Sequence, residues 1–406
     1  MTALPPVAPS GLPRWRLPRS AHAPHPGQVL AAFVVAGFGI GLSQGGAAGV
    51  IQDQVRSLST SVDMIGYTMT AYALGVVVGA PLIMVGLARW NRRTLLIAMS
   101  AIFVVTSAAT ALAPNVGALL LVRFLAGLPH GALLGTASFV AMLAVGRERR
   151  GRAIAIIMYG LTASAIVGVP AMQWVSEVAS WRVTYAGVTL VGLVGFVLIW
   201  LFTPDVRGAD GTSVRGELGS LRGRPLWTAL LTIAVGFAGL GAVQSYMVPL
   251  LEETNGLATS AVTIALVLFG LGLTAGAMVG GRLTDRSSAF AARVGLAGVV
   301  LSLLALGLFG DSGWPTVAML VSLGACVQVF SQSAQTHLMD VVHASPSLGA
   351  ALSHSALNAA TVLGSGLGAV LISLELGYLA PAWLALVGAV IALVLVFRGP
   401  GYRSEA

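Results

Sequence analysis

The sequence predicts an all-α membrane protein in which twelve transmembrane helices form two pseudo-symmetric six-helix bundles. Three observations support this prediction. The composition is too apolar for a water-facing surface, apolar runs of spanning length recur twelve times, and the second half of the chain repeats features of the first. Hydrophobic residues make up 56% of the 406 residues and charged residues only 9%, whereas soluble globular proteins carry roughly 25% charged residues. Lipid must therefore surround most of the folded chain.

The apolar runs divide into two groups of six. A spanning helix needs about 20 mostly apolar residues, and the first six such runs lie at 28–50, 62–88, 94–113, 116–145, 153–175 and 183–202. The other six lie at 226–250, 260–283, 294–309, 315–335, 348–374 and 378–397. We number these predicted helices 1 to 12 in chain order.

Polar segments separate and flank the two bundles. Residues 203–225 are the longest polar stretch inside the chain, and we interpret them as a cytoplasmic linker between an N-terminal bundle (28–202) and a C-terminal bundle (226–397). Residues 1–27 are rich in Pro and Arg and lack the apolar core of a signal peptide, so they are predicted to be a disordered cytoplasmic tail. Residues 398–406 form a second, short cytoplasmic tail.

The basic residues predict the orientation in the membrane. All 22 of them are arginines, and with the N-terminus inside, 19 fall in cytoplasmic segments and only Arg56 and Arg182 in external loops. This is the positive-inside asymmetry of membrane proteins. We therefore predict a multi-pass protein of the cell (inner) membrane with both termini in the cytoplasm. Because the arginines stand in small groups between apolar stretches, the net charge of +8 does not indicate nucleic-acid binding.

An internal repeat supports the division into halves. The segment from Tyr72 to Ala80 (YALGVVVGA) aligns with the segment from Phe269 to Ala277 (FGLGLTAGA) at an offset of 197 residues. At the same offset, Arg89 matches Arg286, each at the predicted cytoplasmic end of the second helix of its bundle. Two parallel six-helix repeats related by an axis along the membrane normal are a known transporter architecture.

One charge lies within a predicted span. Arg123 is about two turns from the external end of helix 4, and a cation at membrane depth costs at least about 2.5 kcal/mol unless it faces the protein interior or a wet cavity. Ser43 and Gln44 on helix 1 reach a similar depth at 1.5 Å per residue, and His130 shares the Arg123 face of helix 4. Two interpretations stay open: a structural Arg tied to backbone carbonyls, and a charge at the edge of a solute cavity.

Other polar side chains recur at helical spacing on four helices. They are Tyr67 and Thr70 on helix 2, Gln244 and Tyr246 on helix 7, Gln328, Gln332 and Gln335 on helix 10, and His354, Asn358, Thr361 and Ser365 on helix 11. A single polar residue in a membrane helix usually bonds a neighbouring helix, but aligned sets of polar residues indicate the lining of a cavity. His354 can carry a proton, and a buried structural histidine is the other interpretation.

Helix 5 carries Gly160, Ser164, Gly168 and Pro170 at intervals of about one turn or less. Pro within a span loosens the helical ladder and allows a kink, so this helix is a candidate for closing one end of a cavity. The sequence has no P-loop, nucleophile elbow or cluster of metal ligands, and its single Cys326 excludes a disulfide framework. We therefore predict no catalytic or metal site, no cofactor, and a protein that is not an enzyme.

Several of these stretches are similar to motifs of the major facilitator superfamily, and within it of bacterial twelve-span drug:proton antiporters of the sugar-efflux and chloramphenicol-efflux type. AYALGVVVGAP with the following RR pair resembles the helix 2–3 signature, GGRLTDR its second copy, RFLAGLPHG the helix 4 motif and GVP the helix 5 antiporter motif. The resemblance implies a role of Arg123 in proton transfer. It also implies gating or conformational roles for Gly79, Arg89, Arg92, Arg93, Gly160, Gly168, Pro170, Asp285 and Arg286.

Two positions depart from that pattern. Ala88 occupies the place of the acidic residue that Asp285 provides in the second half, which puts one gating salt bridge in doubt. Relatives commonly carry Glu in a GLTE-like context on helix 1, whereas this chain has GLSQ with Gln44 at that position. No Asp or Glu lies in the middle third of any predicted span, so proton coupling through His354, Asp63 or Arg123-linked water stays open.

These observations lead to a functional expectation. We expect a secondary active transporter that exports a small, mostly apolar or amphipathic compound by alternating access, in exchange for protons driven by the proton gradient. The alternatives are a proton-independent facilitator or uptake carrier for a neutral metabolite, and a transporter-like sensor. The expected partners are the small-molecule substrate and the lipid bilayer, without nucleic acid, and we expect a monomer.

Overall fold

The computed structural model describes residues 24–206, 219, 221, 223–342 and 345–398. Within these residues, twelve helices are long and apolar enough to cross a membrane. They are α1 (Pro26–Gly45), α2 (Val62–Gly86), α3 (Arg92–Ala111), α4 (Val116–Val145), α5 (Arg150–Val178), α6 (Trp181–Phe202), α7 (Arg224–Ser245), α8 (Thr259–Arg286), α9 (Ser288–Phe309), α10 (Trp314–Val341), α11 (Pro346–Ser373) and α12 (Ala380–Arg398). The predictions for the two tails and the linker concern mostly residues outside the described ranges and stay predictions.

The helix bounds differ from the apolar runs where polar residues are buried by protein. Helix α9 begins at Ser288 rather than 294, and α10 ends at Val341 rather than 335. Both added segments pack against other helices, with Ser288 fully buried and Thr336 fully buried. Counting apolar residues misses such extensions because it cannot tell a polar residue in water from one inside the protein.

Two predicted helices are shorter than expected because their C-terminal ends change geometry. Helix α1 ends at Gly45 and continues as a 3-10 turn (Gly46–Val50) and a short amphipathic helix (Ile51–Leu58). Helix α7 ends at Ser245 and continues as a short turn (Met247–Pro249) followed by a π turn. Glycines, and a proline without a backbone N–H, do not support a regular α-helix to the predicted ends.

Five of the helices that follow a short loop are capped at their N-termini by a side chain. The side chains of Ser61, Asn91, Asn115, Ser180 and Ser287 accept backbone N–H groups at the starts of α2, α3, α4, α6 and α9. Each cap satisfies one of the N–H groups that the first turn of a helix leaves without a partner. Capping therefore sets the register at which these spans enter the bilayer.

The two halves of the molecule pack their helices in the same pattern. Helices α2 and α4 are neighbours as α8 and α10 are, and the pairs α1–α5, α1–α6, α3–α6 and α3–α4 recur as α7–α11, α7–α12, α9–α12 and α9–α10. The prediction of twelve helices in two pseudo-symmetric six-helix bundles is confirmed.

Close glycine contacts repeat along with the helix pairs. A Cβ at Gly79 would clash with the backbone of Leu128 on α4, and a Cβ at Gly276 would clash with the backbone of Ala325 on α10. Both members of the second pair follow those of the first by 197 residues, the offset of the sequence repeat. The repeat therefore encodes one helix-packing geometry twice.

The halves meet along α5 and α8 on one side and along α2 and α11 on the other, and α4 also packs against α11. Because the number of spans is even, α1 begins and α12 ends at the same end of the molecule. We call this the arginine-rich end, since the loops after α2, α4 and α8 and the helix ends beside them carry ten of the fifteen arginines in the described ranges. The other is called the opposite end.

Candidate functional site

A cavity of about 290 Å³ lies between the two halves, near the middle of the helices. Helices α1, α4 and α5 line it from the N-terminal half, and α7, α8, α10 and α11 line it from the C-terminal half. Gln44 on α1 is half-buried, while Gln244 on α7 and Thr361 on α11 are exposed. The lining thus becomes more accessible toward the opposite end.

The lining combines hydrogen-bonding and apolar side chains, and none of the described residues in it is Asp, Glu or Arg. The amide groups come from Gln44, Gln244, Gln328 and Asn358, and the apolar surface from Met158, Leu161, Phe237, Leu240, Leu273, Val327 and Leu357. Such a surface favours a neutral solute that has both apolar parts and hydrogen-bonding groups, because a charged solute would find no counter-charge in it.

One hydrogen bond joins the halves across the cavity. The Nε2 atom of Gln44 on α1 donates to Oδ1 of Asn358 on α11 at 3.0 Å. The Nδ2 atom of Asn358 donates in turn to the carbonyl oxygen of His354 at 2.9 Å, one turn earlier on α11. Gln44 therefore pairs with the C-terminal half rather than with Arg123.

The structure brings seven of the predicted residues together in this cavity: Gln44, His130, Gln244, Gln328, His354, Asn358 and Thr361. Arg123, Gln335 and Ser365 lie outside the lining, and so do four others. Tyr67 is 58% exposed and lies on the α2 stripe of Leu74 and Val78, which are also exposed, and Thr70 is only partly buried. Helix α2 therefore contributes no side chain to the lining, contrary to the prediction.

The other two predicted residues lie against protein. Tyr246 stacks on Tyr378 with ring centroids 6.5 Å apart, beyond the end of α7. Gln332 is 1% exposed and points toward Gly280 on α8. Sequence periodicity places both on plausible faces, but the ends of helices and their rotation decide which residues reach the cavity.

The apolar lining residues were not predicted, and neither were Thr162 on α5 and Ser331 on α10. In a membrane protein an apolar side chain facing a cavity has the same sequence signature as one facing lipid. For Ser331 a signal existed, since it lies three residues after Gln328 on the same helix face.

Arg123 is buried behind the cavity, in the N-terminal half. Its guanidinium donates to the carbonyl oxygen of Ser43 at 2.8 Å and to Oγ of Ser43 at 3.1 Å. It also lies over the ring of Tyr72, 4.4 Å from the centroid, with the Tyr185 ring at 6.0 Å. Its Nε and its second terminal nitrogen have no hydrogen-bond partner among the described residues. The guanidinium is thus held by a carbonyl, a hydroxyl and two aromatic rings.

Two histidines face each other where the halves meet at the cavity floor. His130 on α4 and His354 on α11 have ring centroids 5.6 Å apart, and they are 2% and 6% exposed. Nδ1 of His130 is 2.9 Å from the hydroxyl of Tyr72, the tyrosine under Arg123. Arg123, Tyr72, His130 and His354 therefore form a continuous series of contacts across the interface.

Below the histidines, toward the arginine-rich end, the halves are in direct contact. Gly135 on α4 lies so close to Ala351 on α11 that a Cβ at position 135 would overlap the atoms of Ala351. Nε2 of Gln335 on α10 donates to Oγ of Ser138 on α4 at 3.0 Å. Ser138 and Gln335 are 197 residues apart, as the repeat is, so equivalent positions of the two halves meet at the pseudo-symmetry axis.

Polar contacts reinforce this closure at its rim. Asp285 at the end of α8 accepts the backbone N–H of Gly151 at 2.8 Å and pairs with Nε of Arg152 at 2.9 Å. Arg150 forms an ion pair with Asp340 on α10. Arg92, fully buried at the start of α3, donates to Oγ of Ser345 at 3.5 Å. The cavity is therefore closed at the arginine-rich end and accessible from the opposite end.

The remaining gating candidates lie elsewhere. Arg89 and Arg286 are exposed at the arginine-rich end, and Arg93 donates to the carbonyl oxygen of Trp200 at 2.9 Å within the N-terminal half. Gly160 on α5 leaves room for the backbone of Val34 on α1, and Gly168 for the side chain of Leu42.

Helix α5 contains a π turn at Ser164–Gly168, just before Pro170. Pro170 has no backbone N–H to donate to the preceding turn, and a π turn is one way in which a helix accommodates this loss. The predicted irregularity of this helix is thus a local widening. Among the described residues, no group of three His, Cys, Asp or Glu side chains is placed to hold a metal ion.

Comparison with known proteins gives concordant similarities. The family described as Major Facilitator Superfamily matches residues 29–347. The chain is 31% identical over 379 residues to the inner membrane transport protein YdhP of Escherichia coli (strain K12), covering 93% of this chain and 97% of that protein. It is 29% identical over 389 residues to a chloramphenicol resistance protein of Streptomyces lividans, covering 92% and 96%. Among solved structures, the proton:xylose symporter XylE has a similar fold, with a TM-score of 0.73 at 14% identity, covering 92% of this chain and 96% of that one.

Proposed function

Because the chain belongs to the Major Facilitator Superfamily, we propose that it exports a small, mostly apolar or amphipathic compound by alternating access, in exchange for protons. That it is a multi-pass membrane transporter and not an enzyme follows from the family. The substrate, the direction of transport and the proton exchange are the proposal.

The observation that carries the proposal is the cavity between the halves. It combines amide side chains with a larger apolar surface, and its only titratable side chains among the described residues are the two histidines. A neutral amphipathic solute satisfies both parts of this lining, whereas burial of a fixed charge against it would be costly.

Alternating access is supported by where the halves touch. The polar contacts of Asp285, Asp340 and Ser345 close the arginine-rich end, and the lining is exposed toward the opposite end. Assigning the arginine-rich end to the cytoplasm, as the positive-inside rule suggests, makes this the outward-open state. Rocking of the two halves about the cavity would open the cytoplasmic end, because the repeats form two similar bodies.

Export is supported by relatives that carry resistance names, such as the chloramphenicol resistance protein, and the inner membrane by the name of the YdhP protein. A proton-independent facilitator is the second candidate function. It is favoured by Gln44, which cannot exchange a proton at physiological pH.

The test is transport by the purified protein in liposomes. Vesicles with an acidic interior and a clamped membrane potential are supplied with radiolabelled chloramphenicol, and its accumulation is compared with that in vesicles without a pH gradient. Exchange of one proton per neutral molecule sustains about a tenfold concentration ratio per pH unit at equilibrium. If chloramphenicol enters both kinds of vesicle at the same rate and does not accumulate, the protein is a facilitator. If chloramphenicol does not enter at all, a drug-susceptibility panel in cells selects another compound for the same assay.

A further inference from the structure

The histidine pair at the cavity floor has no role in the transport cycle described above. His130 belongs to the N-terminal half and His354 to the C-terminal half, and their rings face each other across the interface 5.6 Å apart. His354 is only 6% exposed, yet its Nε2 atom has no hydrogen-bond partner in the described part of the chain. Both side chains line the cavity.

We propose that His130 and His354 together bind the exchanged proton, and that this proton opens the closure at the arginine-rich end. The proposal rests on the proposed proton exchange and places it at two residues. In the neutral tautomer of His354 that carries its proton on Nδ1, Nε2 has a lone pair, and a hydronium ion in the cavity gives its proton to it. An N–H bond forms, an O–H bond of the hydronium breaks, and water remains.

The charged and titratable groups around the pair determine the consequence. Tyr72 on α2 bonds Nδ1 of His130, and Arg123 on α4 lies behind Tyr72. Gln44 on α1 and Gln244 on α7 are uncharged, as are the lining residues of α5, α8 and α10. Farther toward the arginine-rich end are His337 and the ion pairs of Asp340 with Arg150 and of Asp285 with Arg152.

Among the described residues, no carboxylate lines the cavity or contacts the pair. An added proton therefore puts a positive charge into an interface without a counter-charge, near the Arg123 cation that lies behind Tyr72 in the N-terminal half. The charge gains hydration when the two histidines move apart, and they move apart when the halves separate at this end. Protonation from the open side thus favours the conformation in which the proton can leave on the other side.

The first test follows the conformation without any substrate. Spin labels are attached at Glu148→Cys and Arg398→Cys, both exposed at the arginine-rich end of different halves, in a Cys326→Ser background. Lowering the pH from about 8 to 5 covers the ordinary range of histidine. We expect the ratio of long to short label distances to rise with acid by up to about tenfold per pH unit, which is the limit for uptake of one proton.

The variants are His130→Gln, His354→Gln and their combination, with His337→Gln as the matched control. His337 is a buried histidine of α10 that does not line the cavity. The double variant should lose the acid response and H337Q should keep it. A response that persists in the double variant, or one that is absent from the parent protein, overturns the proposal.

The second test separates this inference from the proposed function. Accumulation of chloramphenicol in acidic vesicles is measured for the parent protein, H337Q and the double variant. If acid opens the parent protein but no pH-driven accumulation occurs, the proposed exchange fails while the histidine switch stands. If the parent and the double variant accumulate chloramphenicol equally, the exchange stands and the histidine pair is not its proton site.

Discussion

Gln44 stands where relatives commonly carry Glu, and its contact explains what an amide does there. Its Nε2 donates to Oδ1 of Asn358, whose own Nδ2 is committed to the carbonyl of His354. The residue at position 44 must therefore be a donor. An ionised carboxylate would face an acceptor oxygen, unless Asn358 gave up its bond to His354.

We predict that Gln44→Glu makes the stability of the protein more dependent on pH. A protonated Glu can donate to Asn358 as Gln44 does, so the variant should approach the parent at about pH 5. At about pH 8 the carboxylate faces an acceptor, and the variant should be less stable by about 1–3 kcal/mol, the cost of an unsatisfied buried polar group. Thermal unfolding in detergent at both pH values measures the difference. Gln244→Glu, whose side chain is exposed, is the control, and an equal pH effect in both variants would contradict the prediction.

The residue equivalent to Arg123 in the second half of the molecule is apolar. Leu320 lies 197 residues later and is equally buried, so the fold itself needs no cation at this position. Arg123 makes no ion pair in the described part of the chain and leaves two nitrogens without a partner. A buried cation in this setting is retained at a cost in stability.

We therefore predict that Arg123→Leu lowers transport without lowering stability. Replacing a buried charge by an apolar side chain is often neutral or stabilising by about 1–4 kcal/mol, so the unfolding temperature should stay the same or rise. Transport should fall, because the contacts with Ser43 and Tyr72 are lost. Leu320→Met, a volume-conserving change at the equivalent position, should leave transport unchanged. Loss of stability in R123L would show that Arg123 is a structural residue.

At the scale of helices, the pair α2–α4 and its repeat α8–α10 depend on glycine contacts. A Cβ at Gly79 or Gly276 would overlap backbone atoms of the facing helix, which cannot rotate away. Gly66, near the start of α2, has no neighbouring atom within 4 Å of its Cβ position. A Gly→Ala substitution in α2 should therefore destabilise the protein at position 79 but not at position 66.

We predict that Gly79→Ala and Gly276→Ala each destabilise the protein by about 1–3 kcal/mol, as overpacking does. Gly66→Ala should instead be neutral or stabilising by up to about 1 kcal/mol, because Ala favours a helix over Gly. The fraction of monodisperse protein after heating, measured by size-exclusion chromatography, ranks the three variants. Unequal effects at Gly79 and Gly276 would mean that the two repeats do not share one packing geometry.

The sequence was sufficient for the number and order of the helices and for their division into two related bundles, because spanning length and the repeat are properties of composition and spacing. It was less sufficient for the site. Depth along the helix placed Ser43 and Gln44 near Arg123, but rotation about the α1 axis turned Ser43 toward it and Gln44 toward Asn358. The sequence also could not show that Tyr67 lies on the exposed face of α2. A stripe of residues that faces lipid and one that faces a cavity have the same spacing and differ only in which helices surround them.

At the scale of the whole molecule, the two halves are joined by few charged contacts. Asp285 and Asp340 both belong to the C-terminal half and bind the start of α5 in the N-terminal half. The repeat does not supply the equivalent of Asp285 in the first half, where Ala88 occupies its position. The closure at the arginine-rich end is therefore asymmetric in its ion pairs, although its packing follows the pseudo-symmetry.

We predict that Asp285→Asn shifts the protein toward opening at the arginine-rich end. The variant loses the ion pair with Arg152 and weakens the bond to the N–H of Gly151, and each 1.4 kcal/mol lost changes the ratio of closed to open molecules about tenfold. Spin labels at Glu148→Cys and Arg398→Cys, which are exposed on different halves at the arginine-rich end, report closure through their distance in a Cys326→Ser background. The ratio of long to short distances should rise in D285N.

The control for this experiment is Asp53→Asn. Asp53 pairs with Arg56 and accepts the backbone N–H of Trp181 entirely within the N-terminal half, so its loss disturbs an aspartate contact of the same chemistry without touching the interface. The distance ratio in D53N should equal that of the parent protein. If D285N and D53N behave alike, closure does not depend on the contacts of Asp285, and the packing of Gly135 against Ala351 together with the Arg150–Asp340 ion pair, which both variants keep, is sufficient for it.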